Sequence, residues 1–339
     1  MLNERLSPLA PRPFPSSFDL PRMDQITGIV VPVFGLIGLG FAAAWTRLLG
    51  EATGEALADF VFTVAIPVLI FRVVATADFS GGAPWLLWID YYIGFTLAWI
   101  AGTFVVRRVF GRDARAGLVA GVSAAYSNAL LVGIPLVIAA YGSEGAAAIS
   151  LLIAIHLPIL MTASAILIER ALVTDGLSPD ADSWTIVRTI ARSLIKNPIV
   201  LGLFAGTLWR LTGLPIGGPA GDVVTRLGDV AATLALFSVG MNLRKYGVSG
   251  NVRAALAVGF IKLVAMPAVV FLVVAYLIPL PPVWAKAIVI AAACPTGVNA
   301  YLVATRFKTG QALASNAITL TTALAVVTVA FWLHVVAWL

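Results

Sequence analysis

Residues 291–304 read AAACPTGVNAYLVA. The stretch lies in the middle of an apolar run long enough to cross a membrane, where a plain span carries Leu and Val. It holds instead Pro295, Thr296, Gly297, Asn299 and Tyr301. A proline inside a helix removes a backbone donor and clashes with the carbonyl four residues back. Hydrocarbon tolerates that fault only where neighbouring protein or water satisfies the freed groups. The segment is therefore expected to face protein or a polar cavity. A second copy of the pattern occurs earlier. Asn128-Ala129-Leu130-Leu131-Val132 parallels Asn299-Ala300-Tyr301-Leu302-Val303, and Gly133-Ile134-Pro135 follows as another interruption. Two broken spans that meet and form a transport site are the expected centre of the molecule.

Composition sets the class. Of 339 residues, 60% are hydrophobic and 11% charged, with a mean hydropathy of +0.98. Soluble domains carry about a quarter charged residues. The runs of about 20 apolar residues indicate an all-α integral membrane protein rather than a barrel. The net charge of +6 does not imply a nucleic-acid partner, because the basic residues sit in short loops between spans. The single cysteine, Cys294, excludes an internal disulfide and a multi-cysteine metal site. It reads as a small packing residue, and no cofactor or metal is expected. There is neither a His-Glu-x-x-His motif nor a mid-span carboxylate pair, so an intramembrane enzyme is not expected.

Residues 1–24 are polar and proline-rich, without the apolar core of a signal peptide. A disordered tail is expected there, and Met23, just before the first span, is the alternative to Met1 as the start of translation. Ten apolar segments follow, at about 26–47, 56–76, 85–107, 115–140, 145–169, 195–213, 223–243, 252–278, 284–305 and 311–337. They divide as 25–172, a linker over 173–194, and 195–339. In Ser183–Lys196, Trp184, Val187 and Ile190 share one helical face, while Arg188, Arg192 and Lys196 recur on another. That pattern predicts an interfacial amphipathic helix. Loops after the odd-numbered spans hold fourteen of the 22 basic residues and the opposite side seven, with Lys262 alone inside a span. The positive-inside rule then puts both termini outside, in a plasma (inner) membrane.

The two halves repeat. Pro32, Gly40, Thr46 and Leu48 match Pro198, Gly206, Thr212 and Leu214 at an offset of 166. Leu57, Asp59 and Ala65 match Leu227, Asp229 and Ala235 at 170, and the Asn-Ala-x-Leu-Val motif recurs at 171. Five spans per repeat is odd, so the second half enters the membrane inverted. Inverted repeats with discontinuous helices mark a secondary transporter with a midplane site.

Asn128 and Asn299, with Ser127, Gly133, Pro135, Pro295, Thr296 and Tyr301, are the candidate substrate contacts. An asparagine donates and accepts hydrogen bonds without the cost of a buried charge. Half-helix N-termini add N–H groups and positive dipole ends that favour an anion such as a carboxylate. Pro135 and Pro295 are expected to free the carbonyls of Leu131 and Ala291. Lys262, His156 and Asp90 are the candidate coupling groups. Lys262 reads equally as a fixed or titrating charge near the site and as a tether to a helix end or to Asp90. Asp90 also reads as an interface residue solvated by water. His156 reads as a proton relay or as a neutral histidine bonded across helices. Asp59 and Asp229 read as helix N-terminal caps or first-turn acids. Ser238, Asn242, Thr319, Thr321 and Thr322 read as cavity wall or packing seam.

Asn128 with Gly133-Ile134-Pro135-Leu136, Asn197-Pro198 with Gly206, and Pro295-Thr296 with Asn299-Ala300-Tyr301 together resemble the auxin efflux carrier family, from about Met23 onward. That family includes plant PIN-type carriers and bacterial carriers of small organic acids. The resemblance implies a fold like that of bile acid–sodium symporters and NhaA-type antiporters: ten transmembrane helices as two inverted five-helix repeats. Spans one, two, six and seven would form a scaffold able to dimerise. The others would form a mobile domain in which broken fourth and ninth helices cross, with Asn128 and Asn299 on the substrate carboxylate. Only about 25 residues join the halves, where the long plant carriers have a large loop. The function expected is carriage of a small organic anion by alternating access. The alternatives are a sodium-coupled symporter of the bile-acid type and a non-transporting membrane sensor.

Overall fold

Inside a bilayer no water serves the backbone, so an apolar chain must close its hydrogen bonds within helices. The computed structural model describes residues 23–76, 83–176, 195–248, 252–306 and 308–339, with 188 and 250. Helices occupy nearly all of them, and no strand forms among the described residues. The expected tail and nearly all of the expected interfacial helix lie outside the described residues.

Helix α1 is Met23–Trp45, α2 Glu51–Thr76 and α3 Pro84–Val109. Short α4, Ala114–Ala125, follows. A π-helical turn over Ala129–Gly133 leads into Ile134–Thr174. Gly142 (φ 60°, ψ −145°) interrupts that helix and divides it into α5 before the break and α6 after it. Next come α7, Pro198–Leu211; α8, Gly218–Tyr246; and α9, Val252–Tyr276. The chain closes with α10, Pro282–Ala293; α11, Asn299–Arg306; and α12, Gln311–Trp338. Among the described residues, seven helical runs are long and apolar enough to cross a membrane, and α4, α7 and α10 are shorter apolar helices.

Close helix packing rests on glycine. Lipid offers no hydrophobic drive between helices, so contact area comes from small residues that let backbones approach. Helices α1 and α8 cross at Gly40 and Gly240: a Cβ on Gly240 would overlap the Ile37 carbonyl, and one on Gly40 the Phe237 carbonyl. Helix α7 lies on α2 in the same way. A Cβ on Gly202 would stand 2.5 Å from the Pro67 carbonyl oxygen, and one on Gly206 2.8 Å from that of Phe71. In α3, Gly94 admits Val270 of α9, and Gly102 admits Ala124 of α4.

One end of the bundle is tied by polar contacts. Arg244 donates to the carbonyl of Ala44, Lys245 pairs with Glu55 at 2.6 Å, and Ser315 donates to the carbonyl of Tyr246. Asp113 caps α4 through the Ala116 N–H at 2.7 Å. Asp175 accepts from the Ala114 N–H at 2.9 Å and from the Arg115 guanidinium at 2.9 Å. Burial alone would raise the Asp175 carboxyl, but these amides and the guanidinium outweigh it and hold it below its ordinary value.

One expectation needs correction and one pair of alternatives is decided. Asp59 and Asp229 are not first-turn acids. Their helices begin at Glu51 and Gly218, so both lie well inside. Asp59 accepts from Thr63 at 3.4 Å, and Asp229 meets Arg72 at 2.8 Å. Ser238 and Asn242 belong to a packing seam: Ser238 donates to the Ala235 carbonyl, and Asn242 to the carbonyls of Ser238 and Gly54.

Gly240→Leu should destabilise the fold by about 3 kcal/mol, because a backbone carbonyl cannot yield to the new side chain. Gly35→Ala, with open space around its Cβ position, should leave thermal stability unchanged or higher. Equal melting temperatures in detergent would contradict the packing account. Asp175→Asn should lower the melting temperature equally at pH 8 and pH 5. A carboxyl depressed on folding stabilises above its unfolded value of 3.8 and loses that contribution only below it. The gap should therefore close only under more acidic conditions.

Candidate functional site

Helix α4 ends at Ala125 and α10 at Ala293, and both chains leave in extended backbone (Tyr126 φ −80°, ψ 109°; Cys294 φ −61°, ψ 151°). Pro295 has no N–H with which to continue a helix. The two extended pieces pair antiparallel at Ser127 and Thr296. The Asn128 N–H donates to the Pro295 carbonyl at 2.8 Å, and the Gly297 N–H to the Tyr126 carbonyl at 2.9 Å. Gly297 is needed for this approach, since a Cβ there would stand 2.6 Å from the Tyr126 ring. Thr296 completes the joint. Its hydroxyl donates to the Ser123 carbonyl at 2.8 Å, and its N–H donates to the Thr321 hydroxyl at 3.0 Å. Thr321 is thus part of the joint.

Both asparagines sit where helix resumes. Asn128 precedes the π turn; its Oδ1 accepts from the Leu131 N–H at 3.4 Å, and its carbonyl from the amides of Val132 and Gly133. Asn299 opens α11 and donates from Nδ2 to the Tyr126 hydroxyl at 3.0 Å. The amides of Ala300 and Tyr301 are taken by the carbonyls of Gly297 and Val298. Much of the N–H supply expected at these half-helix starts is therefore used locally. The Ala291 carbonyl, expected to be free, accepts from the Cys294 N–H at 3.4 Å.

A cavity of about 280 Å³ opens at the joint. Ser127, Asn128, Asn299, His156, Tyr126 and Asn197 give it polar groups, and Phe62, Leu130, Ile153, Ile199 and Leu302 give it apolar walls. No Asp, Glu, Lys or Arg is among its lining residues. The His156 ring stacks on Tyr126 with centroids 4.3 Å apart. Its Nδ1 lies 3.1 Å from the Tyr92 hydroxyl, and its buried Nε2 has no hydrogen-bond partner among the described residues. The Tyr91 hydroxyl meets Ser127 Oγ at 2.9 Å.

The structure thus brings Ser127, Asn128, Asn299 and His156 to one cavity. Gly133, Pro135, Pro295, Thr296 and Tyr301 shape the backbone around it without lining it; Tyr301 packs edge-on against Tyr246, with ring centroids 5.2 Å apart. Lys262 and Asp90 also lie off the cavity. Lys262 is fully buried and donates to the Ala292 carbonyl, one residue before α10 ends. That bond is a contact to a helix end, as one of the two expected readings of Lys262 has it, and Asp90 is not its ion-pair partner. Asp90 is not solvated either: it is 0% exposed, and neither carboxylate oxygen has a hydrogen-bond partner among the described residues. Residues not singled out from sequence as site groups are Tyr126, Phe62 and Asn197. Asn197 had shown a signal in the Asn-Pro pair that opens α7, where its Oδ1 accepts from the Ile199 N–H at 2.9 Å.

Comparison with known proteins agrees with the membrane architecture. The membrane transport protein family matches residues 25–333, and the chain belongs to that family. It is 28% identical over 331 residues to a Rhizobium meliloti (strain 1021) protein named "Putative malonate transporter", covering 93% of this chain and 97% of the relative. It is also 23% identical over 332 residues to auxin efflux carrier component 8 of Arabidopsis thaliana, covering 84% and 90%. A Methanothermobacter thermautotrophicus relative, 25% identical over 312 residues, is named an uncharacterized transporter; the match covers 90% of this chain and 97% of that one. The protein is a multi-pass membrane transporter, not an enzyme.

Lys262→Met should destabilise the protein by about 1–3 kcal/mol, the cost of leaving a buried carbonyl without its donor. A melting temperature equal to that of the wild type would remove the tether assignment.

Proposed function

We propose that the chain is a secondary active carrier of a small organic anion, a carboxylate, bound where two interrupted spans cross and moved by alternating access. The observation that carries this reading is the cavity itself. Asn128, Asn299 and His156 converge there, and no acidic side chain lines it. A buried carboxylate is costly unless dipoles replace its water. Amide and imidazole N–H groups supply such dipoles, whereas a hard cation wants carboxylate oxygens. In the tautomer in which the Tyr92 hydroxyl donates to Nδ1, His156 carries its proton on Nε2 and offers it to the bound anion. The cavity volume is at the small end for ligand sites, and the name of the rhizobial relative makes malonate the first compound to test.

The architecture in this reading is ten spans in two inverted repeats, 25–172 and 195–339, joined by the linker 173–194. Its support is a reciprocal exchange: first-repeat α1 packs on second-repeat α8, and second-repeat α7 on first-repeat α2, each through paired glycines. Those four helices form the scaffold, with a homodimer through their outer faces. They contribute Phe62, Asn197, Ile199 and Val200 to the cavity, while the other lining residues belong to the moving helices and their joint. Movement of that unit would carry the site past the scaffold. With both termini outside the inner membrane, Asn197–Val200 lie at the cytoplasmic end of α7, and the cavity is in its inward-facing state.

Proteoliposomes carrying the purified protein should take up labelled malonate or another small carboxylate from a graded panel. Asn128→Ala and Asn299→Ala should each reduce uptake by roughly 10- to 100-fold, the loss of a hydrogen bond to a charged group, with the protein still folded. Absence of flux across the whole panel, or normal flux in both variants, would overturn the proposal. Uptake that requires sodium would favour the bile-acid type of coupling.

A further inference from the structure

A second cavity, of about 450 Å³, lies between α3, α4 and the end of α6, well away from the joint. Its inner wall is apolar and aromatic, with Trp99, Phe104 and Leu167, and its rim carries Arg107, Arg108 and Arg170. Phe104 is 59% exposed and the neighbouring Ile100 58%. On a membrane span, such side chains face acyl chains. The arginines stand at the helix ends, at the level of lipid headgroups. None of them has an ion-pair partner among the described residues. Of the nearby acids, Asp113 and Asp175 are both engaged with Arg115. The buried Thr103 hydroxyl, also on the lining, has no hydrogen-bond partner among the described residues.

We propose that this pocket binds one phospholipid with an anionic headgroup, its phosphate held by Arg107, Arg108 and Arg170 and an acyl chain lying over Trp99 and Phe104. Basic pockets between spans on the cytoplasmic side have the chemistry for such headgroups, whose phosphates a guanidinium meets in bidentate fashion. A soluble anion would have no use for the aromatic wall, and a neutral lipid no use for the three arginines. The site shares no residue with the transport cavity and stands whether or not that cavity carries a carboxylate.

The test uses the full chain, stripped of lipid in a neutral maltoside detergent and titrated with phosphatidylglycerol, phosphatidylcholine or inorganic phosphate. Bound lipid is read by native mass spectrometry and stability by thermal melting. Phosphatidylglycerol should be retained as a single molecule and raise the melting temperature, whereas phosphatidylcholine and inorganic phosphate should do neither. The triple variant Arg107→Gln, Arg108→Gln, Arg170→Gln should bind phosphatidylglycerol roughly 100-fold more weakly. A charge-matched control, Arg47→Gln, Arg253→Gln, Lys308→Gln, should bind it like the wild type. Equal retention of the two lipids by the wild type alone overturns the proposal, which keeps it testable if the variant fails to fold. So does an unchanged affinity in the triple variant, an equal loss in the control, or a shift reproduced by inorganic phosphate.

Discussion

Every peptide group that leaves a helix at bilayer depth needs a new partner, because hydrocarbon supplies none. Where residues 126–128 pass residues 295–297, the partners are each other. Two backbone hydrogen bonds, Asn128 to Pro295 and Gly297 to Tyr126, give partners to the backbone where α4 and α10 end. Thr296 takes one of the last carbonyls of α4, and Thr321 takes the Thr296 amide, so α12 is bound into the same joint. The remaining features of the site follow from this contact. It places Asn128 and Asn299 at the restart of two helices and leaves a cavity between them.

The surroundings support that joint with groups on and behind the cavity wall. Lys262 donates to the Ala292 carbonyl in the last turn of α10 and so satisfies one of the carbonyls that the helix end leaves open. Tyr91, Tyr92 and Phe95 of α3 surround His156 with edge-on or tilted rings, and Tyr126 stacks on its face. The imidazole is thereby fixed as part of a wall.

The second half of the joint was legible in sequence because Pro295, Gly297 and Asn299 are anomalies in an apolar run; in the first half the helix breaks at residues 126–128, whereas Gly133-Ile134-Pro135, where the interruption was expected, are helical. The starts of α9 at Val252 and α12 at Gln311 were legible as well, since hydropathy falls between the apolar runs. What stayed hidden depends on which ordinary residues meet. Phe62 and Ile199 look like any lipid-facing or core side chain, and only the packing of α2 and α7 turns them toward the cavity. Asp59 and Asp229 were misread because their helices extend about five residues before the apolar run begins, so that Glu51, Glu55 and Asp222 read as loop. Lys262 was legible as a buried charge, but its partner, a main-chain carbonyl, carries no sequence signal. Tyr301 shared the repeat motif with Asn299, yet its direction along α11 takes it to Tyr246.

The central claim is that a carboxylate is held between Asn128 and Asn299. The most direct measurement is an experimental structure of the protein with saturating malonate or the best carboxylate from the flux panel. The account predicts ligand density in the cavity beside Tyr126 and His156, with a carboxylate oxygen within hydrogen-bond distance of both asparagine side chains. Density for the ligand elsewhere, with the two asparagines still engaged only by Leu131 and Tyr126, would contradict it.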